Sequence, residues 1–240
     1  MRYLMTISYD GSKYYGFQRL NENPSVQAEL ERALSIINKK EVEIKGSGRT
    51  DRGVHAKGQT IHFDLDVNVP EKRLINAVNS LLSDYIRLVY FNIVENDFHA
   101  RFNVKEKTYT YIINVGEYEV LKQDYVYNYC KELDIKSMKR ASRSLIGKHS
   151  YKVFVSGERD NYNSEIYDII FKKDGKYLYI TFKGKSFYRY MVRNMIGALI
   201  LVGSKKISIK EFNSMIDSNS SKYTYITAPS NGLYLESVKY

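Results

Sequence analysis

The stretch GSGRTDRGVHA, residues 46–56, sets one carboxylate, Asp51, between two guanidiniums, Arg49 and Arg52. Its glycines, Gly46, Gly48 and Gly53, admit tight or positive-φ backbone. An aspartate in such a loop ordinarily closes a turn or caps a helix. The guanidiniums add a second reading, because a neighbouring cation favours the ionised carboxylate. A carboxylate held ionised can act as nucleophile, base or electrostatic stabiliser. The residues alone leave both readings open.

Other chemistries lack their residues. The four histidines, His55, His62, His99 and His149, are scattered and form no HExxH. Cys130 is the single cysteine, which excludes an intrachain disulfide and a multi-cysteine zinc site; no metal is expected. There is no G-x-S-x-G for a serine hydrolase and no Walker-type phosphate loop. A carboxylate glycosidase would need a second carboxylate near the bond, and no partner for Asp51 is evident.

Charge points to a partner. Lys plus Arg number 37 against 27 Asp plus Glu, a net charge of +10. That excess favours a polyanion through phosphate neutralisation and counterion release. Among 23 Tyr, some can stack on bases while keeping the hydroxyl wet, though many alternate along apparent strands and serve packing. MRYLMTISYDG lacks the apolar run of a signal peptide, and MIGALILVG (195–203) is too short to span a bilayer. With one cysteine, a soluble, cytoplasmic protein without a membrane is expected.

The elements that must position the loop follow from periodicity. RYLMTISYD (2–10), QTIHFDLDV (59–67) and IRLVYFNIV (86–94) read as strands, and EVEIKGSGRT (41–50) alternates before turning. Ser25 caps a helix over 26–40, and Pro70 suits the first turn of one over 71–83. Further on, 108–115 reads as a strand and 135–148 as a helix with Gly147 as its stop. Residues 164–173 and 176–184 form a hairpin around Asp174-Gly175. Helices over 188–203 and 209–217 precede a closing strand at 232–240. Each half thus runs strand, helix, strand pair, helix, strand. The fold class is α+β, with two ferredoxin-like (RRM-like) halves, 1–104 and 105–240, whose antiparallel sheets line a central basic cleft.

GRTDRGVHA resembles the signature of the TruA family of tRNA pseudouridine synthases. So do YDGSKYYGFQRLNENPSVQAELERAL (9–34), FHARFNVKEKTYTYII (98–113), SFYRYMVRNMIGALILVG (186–203) and APSNGLYLESVKY (228–240), in order and over nearly the whole chain. The resemblance implies conversion of uridine to pseudouridine in the anticodon arm of tRNA, without cofactor, by a homodimer. It makes Asp51 the residue that starts glycosidic cleavage and Arg193 its ion-pair partner. It puts Tyr109 beside the uracil and has Arg49 displace the target base. Tyr14, Tyr15 and Gln18 could contact RNA or fix the cleft; Arg101 and Lys107 could touch phosphate, and Arg52 adds charge at the mouth of the site, where it could bind substrate. Two departures, Arg52 where many relatives carry Ala and SGERDNYNSEIYDI (156–169), leave open a synthase with another RNA target. A non-catalytic RNA-binding protein on the same fold is the third reading.

Overall fold

Alternation in the first strand becomes burial on one face: Tyr3, Met5, Ile7 and Tyr9 are buried, and the residues between them only half-buried. A strand packed on one side shows this period of two. The computed structural model describes residues 1–20, 22–67, 69–218 and 227–240. The chain forms two units, Met1–Lys105 with Tyr234–Tyr240, and Glu106–Leu233. The last seven residues thus join the first unit, whereas the sequence reading kept them with the second.

The first unit runs β1 (Arg2–Tyr9), α1 (Val26–Asn38), β2 (Lys45–Gly46), β3 (His55–Asp64), α2 (Glu71–Leu81) and β4 (Ile86–Val94). β1 lies between β3 and β4, antiparallel to both. Ser25 caps α1 by accepting from Ala28 N, and Val26, Leu30, Ala33 and Leu34 turn inward. The helix stops at Asn38 because Lys39 takes a left-handed φ of 55°. Pro70 stands one residue before α2, as its cap.

The alternation over 41–50 is real, with Val42 and Ile44 buried, yet only Lys45 and Gly46 pair, with β3. Side chains of α1 take the other amides: Val42 N donates to Ser35 Oγ and Ile44 N to Glu31 Oε1. β3 begins at His55, four residues earlier than its alternation suggests. Its first residues pair in parallel with the C-terminal strand, Tyr234 opposite His55 and Leu235 opposite Ala56.

The second unit runs β5 (Glu106–Asn114), β6 (Tyr127–Asn128), α3 (Ile135–Ser142), β7 (Gly147–Ser150), β8 (Asn163–Asp174), β9 (Tyr177–Gly184), α4 (Met191–Gly203) and α5 (Ile209–Asp217); β10 (Leu233–Lys239) then crosses to the first. Its sheet is ordered β5-β9-β8-β7. β8 and β9 form the expected hairpin, with Gly175 at φ 54° in the turn. α3 is shorter than the 135–148 expected. The chain tightens into a 3-10 turn at Arg143–Leu145, and Gly147, at φ 110°, opens a strand paired with β8.

Histidine burial gives this fold a pH dependence. His62 Nδ1 accepts from Ala100 N at 3.1 Å, which requires a neutral ring. Burial, with the nearby charges of His99 and Arg2, pushes its pKa down to about 4. The unfolded chain therefore binds a proton that the folded chain refuses between about pH 6.5 and 4. Stability is expected to fall as pH drops through that window. Chemical denaturation at pH 7 and pH 4.5 checks this: the loss should be smaller in His62→Gln, and equal losses would remove His62 as the cause.

Candidate active site

The Asp51 loop hangs from its neighbours by backbone bonds. Phe17 N donates to Thr50 O at 3.1 Å, and Val54 N to Asp51 O at 3.1 Å. Thr50 is buried, and its hydroxyl meets that of Tyr9 at 2.8 Å. Burial holds the Tyr9 hydroxyl well above its ordinary pKa, so it stays a neutral partner. Upstream, the fully buried Gln59 pins the turn: its Nε2 donates to Gly48 O, and its Oε1 accepts from Ser47 Oγ.

Two glycines let the segments approach. Gly16 has φ 110°, and a Cβ there would stand 3.0 Å from Thr50 O. Only glycine accepts both the angle and the contact. A Cβ on Gly46 would stand 2.7 Å from the Phe17 ring. Downstream, His55 Nδ1 accepts from Gly11 N at 3.2 Å, and its ring stacks on Tyr234 at 4.6 Å.

Asp51 is half-buried in this frame, with Arg49 and Arg52 exposed on either side. The Arg52 guanidinium lies 4.1 Å over the Tyr15 ring. Gln18 is exposed on the adjoining segment. Tyr14 is only 5% exposed, and its hydroxyl donates to Glu29 Oε2 at 2.6 Å and meets Ser83 Oγ at 2.9 Å. Of the two roles open to it, fixing the loop suits this burial; direct RNA contact does not. Arg101 is exposed in a separate turn that hangs on His62 through Ala100 N.

The other expected residues belong to the second unit. Tyr109 lies on β5, 8% exposed, with its ring edge-on to Phe187 at 5.3 Å. Lys107 and Tyr111, two residues either way, share its face of the strand. Tyr111 donates to Pro229 O at 2.6 Å. Burial raises its hydroxyl well above the ordinary value, against the opposing pull of the Arg193 charge. Arg193 is half-buried in the first turn of α4, so it is no simple surface arginine. Its Nε donates to Ala228 O at 2.7 Å, and its guanidinium lies 4.9 Å over the Tyr190 ring. Tyr190 itself holds φ 61°, a left-handed conformation that costs a non-glycine residue energy.

Among the described residues no group of three or more His, Cys, Asp or Glu could hold a metal ion, and no helix is long and apolar enough to cross a membrane.

Residues 5–103 and 141–240 match the tRNA pseudouridine synthase family. The chain is 40% identical over 241 residues to tRNA pseudouridine synthase A of Borrelia duttonii (strain Ly), covering 99% of this chain and 98% of that protein. The chain belongs to the tRNA pseudouridine synthase family. As a pseudouridine synthase it is an isomerase. It is also 40% identical over 242 residues to tRNA pseudouridine synthase A of Borreliella burgdorferi (strain ATCC 35210 / DSM 4680 / CIP 102532 / B31), with the same coverage. Among solved structures it is similar, at 9% identity and a TM-score of 0.35 over 83% of this chain and 54% of the other, to a chain of a Cbf5-Nop10-Gar1 complex, a likeness too slight to carry an argument.

The family match contains Asp51 and Arg193, while Lys107 and Tyr109 fall between its two segments. This synthase also has supports that the sequence did not disclose: Tyr9, Gly16 and Gln59. Thr50 stood in plain view beside Asp51, but its hydroxyl partner lies 41 residues away, and no spacing rule links the two.

Proposed function

We propose that this isomerase converts uridine to pseudouridine in the anticodon stem-loop of tRNA, at the family's positions 38, 39 and 40, with Asp51 as the nucleophile. The observation that carries the reading is the construction of the Asp51 loop, where a half-buried carboxylate sits on a backbone tied to Phe17 and Tyr9 through Thr50. Positioning of this kind supplies much of an enzyme's advantage.

In this reading the C1′–N1 bond breaks, the uracil turns, C1′–C5 forms, and the proton from C5 leaves as N1 gains one. Substrate and product have the same atoms, so the balance calls for no cofactor. Arg193 keeps Asp51 ionised. Arg49 fills the space left by the target base, which must leave its stack before its glycosidic bond can be reached. Tyr109 stacks on the detached base and assists proton loss from C5. Arg52, Gln18 and Arg101, all exposed, contact the RNA, mostly at phosphates, which position without reading sequence; Lys107 is buried on the face of Tyr109, which does not suit a phosphate contact. Tyr14 fixes the loop. Two ferredoxin-like halves, the first with the aspartate loop and the last seven residues, the second completing a basic cleft, hold the tRNA. The enzyme works in the cytoplasm as a homodimer, one subunit gripping the tRNA body while the other takes the target.

Pseudouridine mapping on an unmodified tRNA with uridines throughout its anticodon arm tests the proposal, with neither metal nor nucleotide added. Pseudouridine confined to that arm is the expected result. Conversion elsewhere would overturn the positions, and binding without conversion would overturn the activity. For Tyr109, the phenylalanine variant keeps the ring and its edge contact with Phe187. Stacking on a base is worth about 1–3 kcal/mol. Tyr109→Leu is therefore expected to lose about a hundredfold in turnover and Tyr109→Phe about tenfold or less. Equal losses in single-turnover assays would move the role from the ring to the hydroxyl.

A further inference from the structure

We propose that Glu31 is a positioning residue for this reaction: a buried acid on α1 that clamps together the two backbone segments carrying the Asp51 loop. The inference rests on the reading of Asp51 as nucleophile.

Glu31 is 2% exposed, on the inward face of α1. A buried carboxylate is costly unless donors surround it. Three do. The Arg19 guanidinium forms an ion pair with its Oε2. Gln27 Nε2 and Ile44 N donate to its Oε1 at 2.9 and 3.0 Å. Packing alone would be met by leucine; the acid instead fixes backbone.

The donors come from both approaches to the loop. Arg19 belongs to the segment before α1, which Gln27 holds a second time: Arg19 N donates to Gln27 Oε1 at 3.0 Å, and Gln27 N to Phe17 O at 2.9 Å. Ile44 belongs to the segment that runs into the loop. The two segments meet where the Phe17 ring covers Gly46 and Phe17 N donates to Thr50 O, one residue before Asp51. One carboxylate therefore sets the distance between the rail that holds Thr50 and the strand that delivers it. Charge-assisted bonds are shorter and stronger than neutral ones, which suits this task.

Glu31→Gln keeps the shape but removes the charge and turns an N–H₂ toward Arg19 or Ile44 N. A displacement of about 1 Å at a reacting group can cost about a hundredfold. The expected result is a kcat lowered about 10- to 100-fold. KM and tRNA Kd should stay within about twofold, because Glu31 touches no RNA in this reading. A kcat equal to wild type, or a loss shared between kcat and Kd, would overturn the inference.

Arg19→Ala guards against a variant that fails to fold, since its side chain is 52% exposed. As the outer end of the clamp it should lower kcat several-fold with Kd unchanged. As a phosphate contact it would instead raise KM and reduce the salt slope of binding by about one, and that result would overturn the clamp. Wild type and Asp51→Ala run alongside. If wild type makes no pseudouridine, or Asp51→Ala makes it, the parent reading fails; if both behave as expected while Glu31→Gln and Arg19→Ala match wild type, the clamp alone fails.

Discussion

Asp51→Ala is expected to make less than about one-thousandth of the wild-type pseudouridine while holding tRNA as well as before. Removing a group that acts directly on the reacting bond costs factors of this size, and other contacts cannot replace it. Binding draws on different residues. Phosphate contacts supply most of the affinity for a polyanion, and the chain carries a net +10. Deleting one carboxylate raises that charge, so Kd should be unchanged or slightly lower. Asp51→Asn sharpens the test, since it keeps the shape of the half-buried side chain and removes only the charge. Single-turnover mapping of pseudouridine, with filter binding on the same preparations, reads both quantities. Turnover retained by either variant would take Asp51 out of the chemistry.

Asp51 draws notice in the sequence because its neighbourhood is unusual in chemical terms, an acid among glycines and arginines, but its proposed role comes from the family resemblance and not from the residues alone. Its frame was not legible there. The bonds that hold the loop come from Phe17, Tyr9 and Gln59, in three other stretches of chain. Local pattern served the elements whose burial is local. β1 and the β8–β9 hairpin lie within a residue or two of their expected bounds, because alternation records which face is packed; the turn is Gly175-Lys176, one residue on from the expected Asp174-Gly175, since Asp174 still pairs with Tyr177. Pattern failed where a distant partner set the outcome. Val42 and Ile44 alternate like a strand, but α1 side chains claim their amides. The start of β3 gave no sign, since its partners lie about 180 residues further on. α3 ended early because the residues after it pair with β8, a competition that helical periodicity does not register. For Tyr14 the sequence left open contact with RNA or fixing the cleft, and its hydroxyl bonds to Glu29 and Ser83 suit the second, a choice that no local pattern could make.

Gly11 carries the second large effect. A Cβ there would lie 2.0 Å from Val54 O and 2.4 Å from Val54 C. Both are backbone atoms, so no side chain can swing aside. Overpacking of a rigid site costs about 1–3 kcal/mol and occasionally more. Gly11→Ala is placed at the upper end, about 3 kcal/mol, which for a chain of this size lowers Tm by about 6–12 °C. The displaced residue is the one whose N–H holds Asp51 O. Relief by moving Val54 therefore drags the carboxylate, and turnover should fall by about a hundredfold at temperatures where the variant is folded. Gly157→Ala separates the contact from the mere addition of a methyl. Gly157 has φ 87° and nothing within 4 Å of its would-be Cβ, so only about 1–2 kcal/mol of backbone strain applies. Its turnover should match wild type. If Gly11→Ala behaves like Gly157→Ala in both melting and turnover, the loop yields to the methyl, and the rigid seating of Asp51 against the end of β1 is wrong.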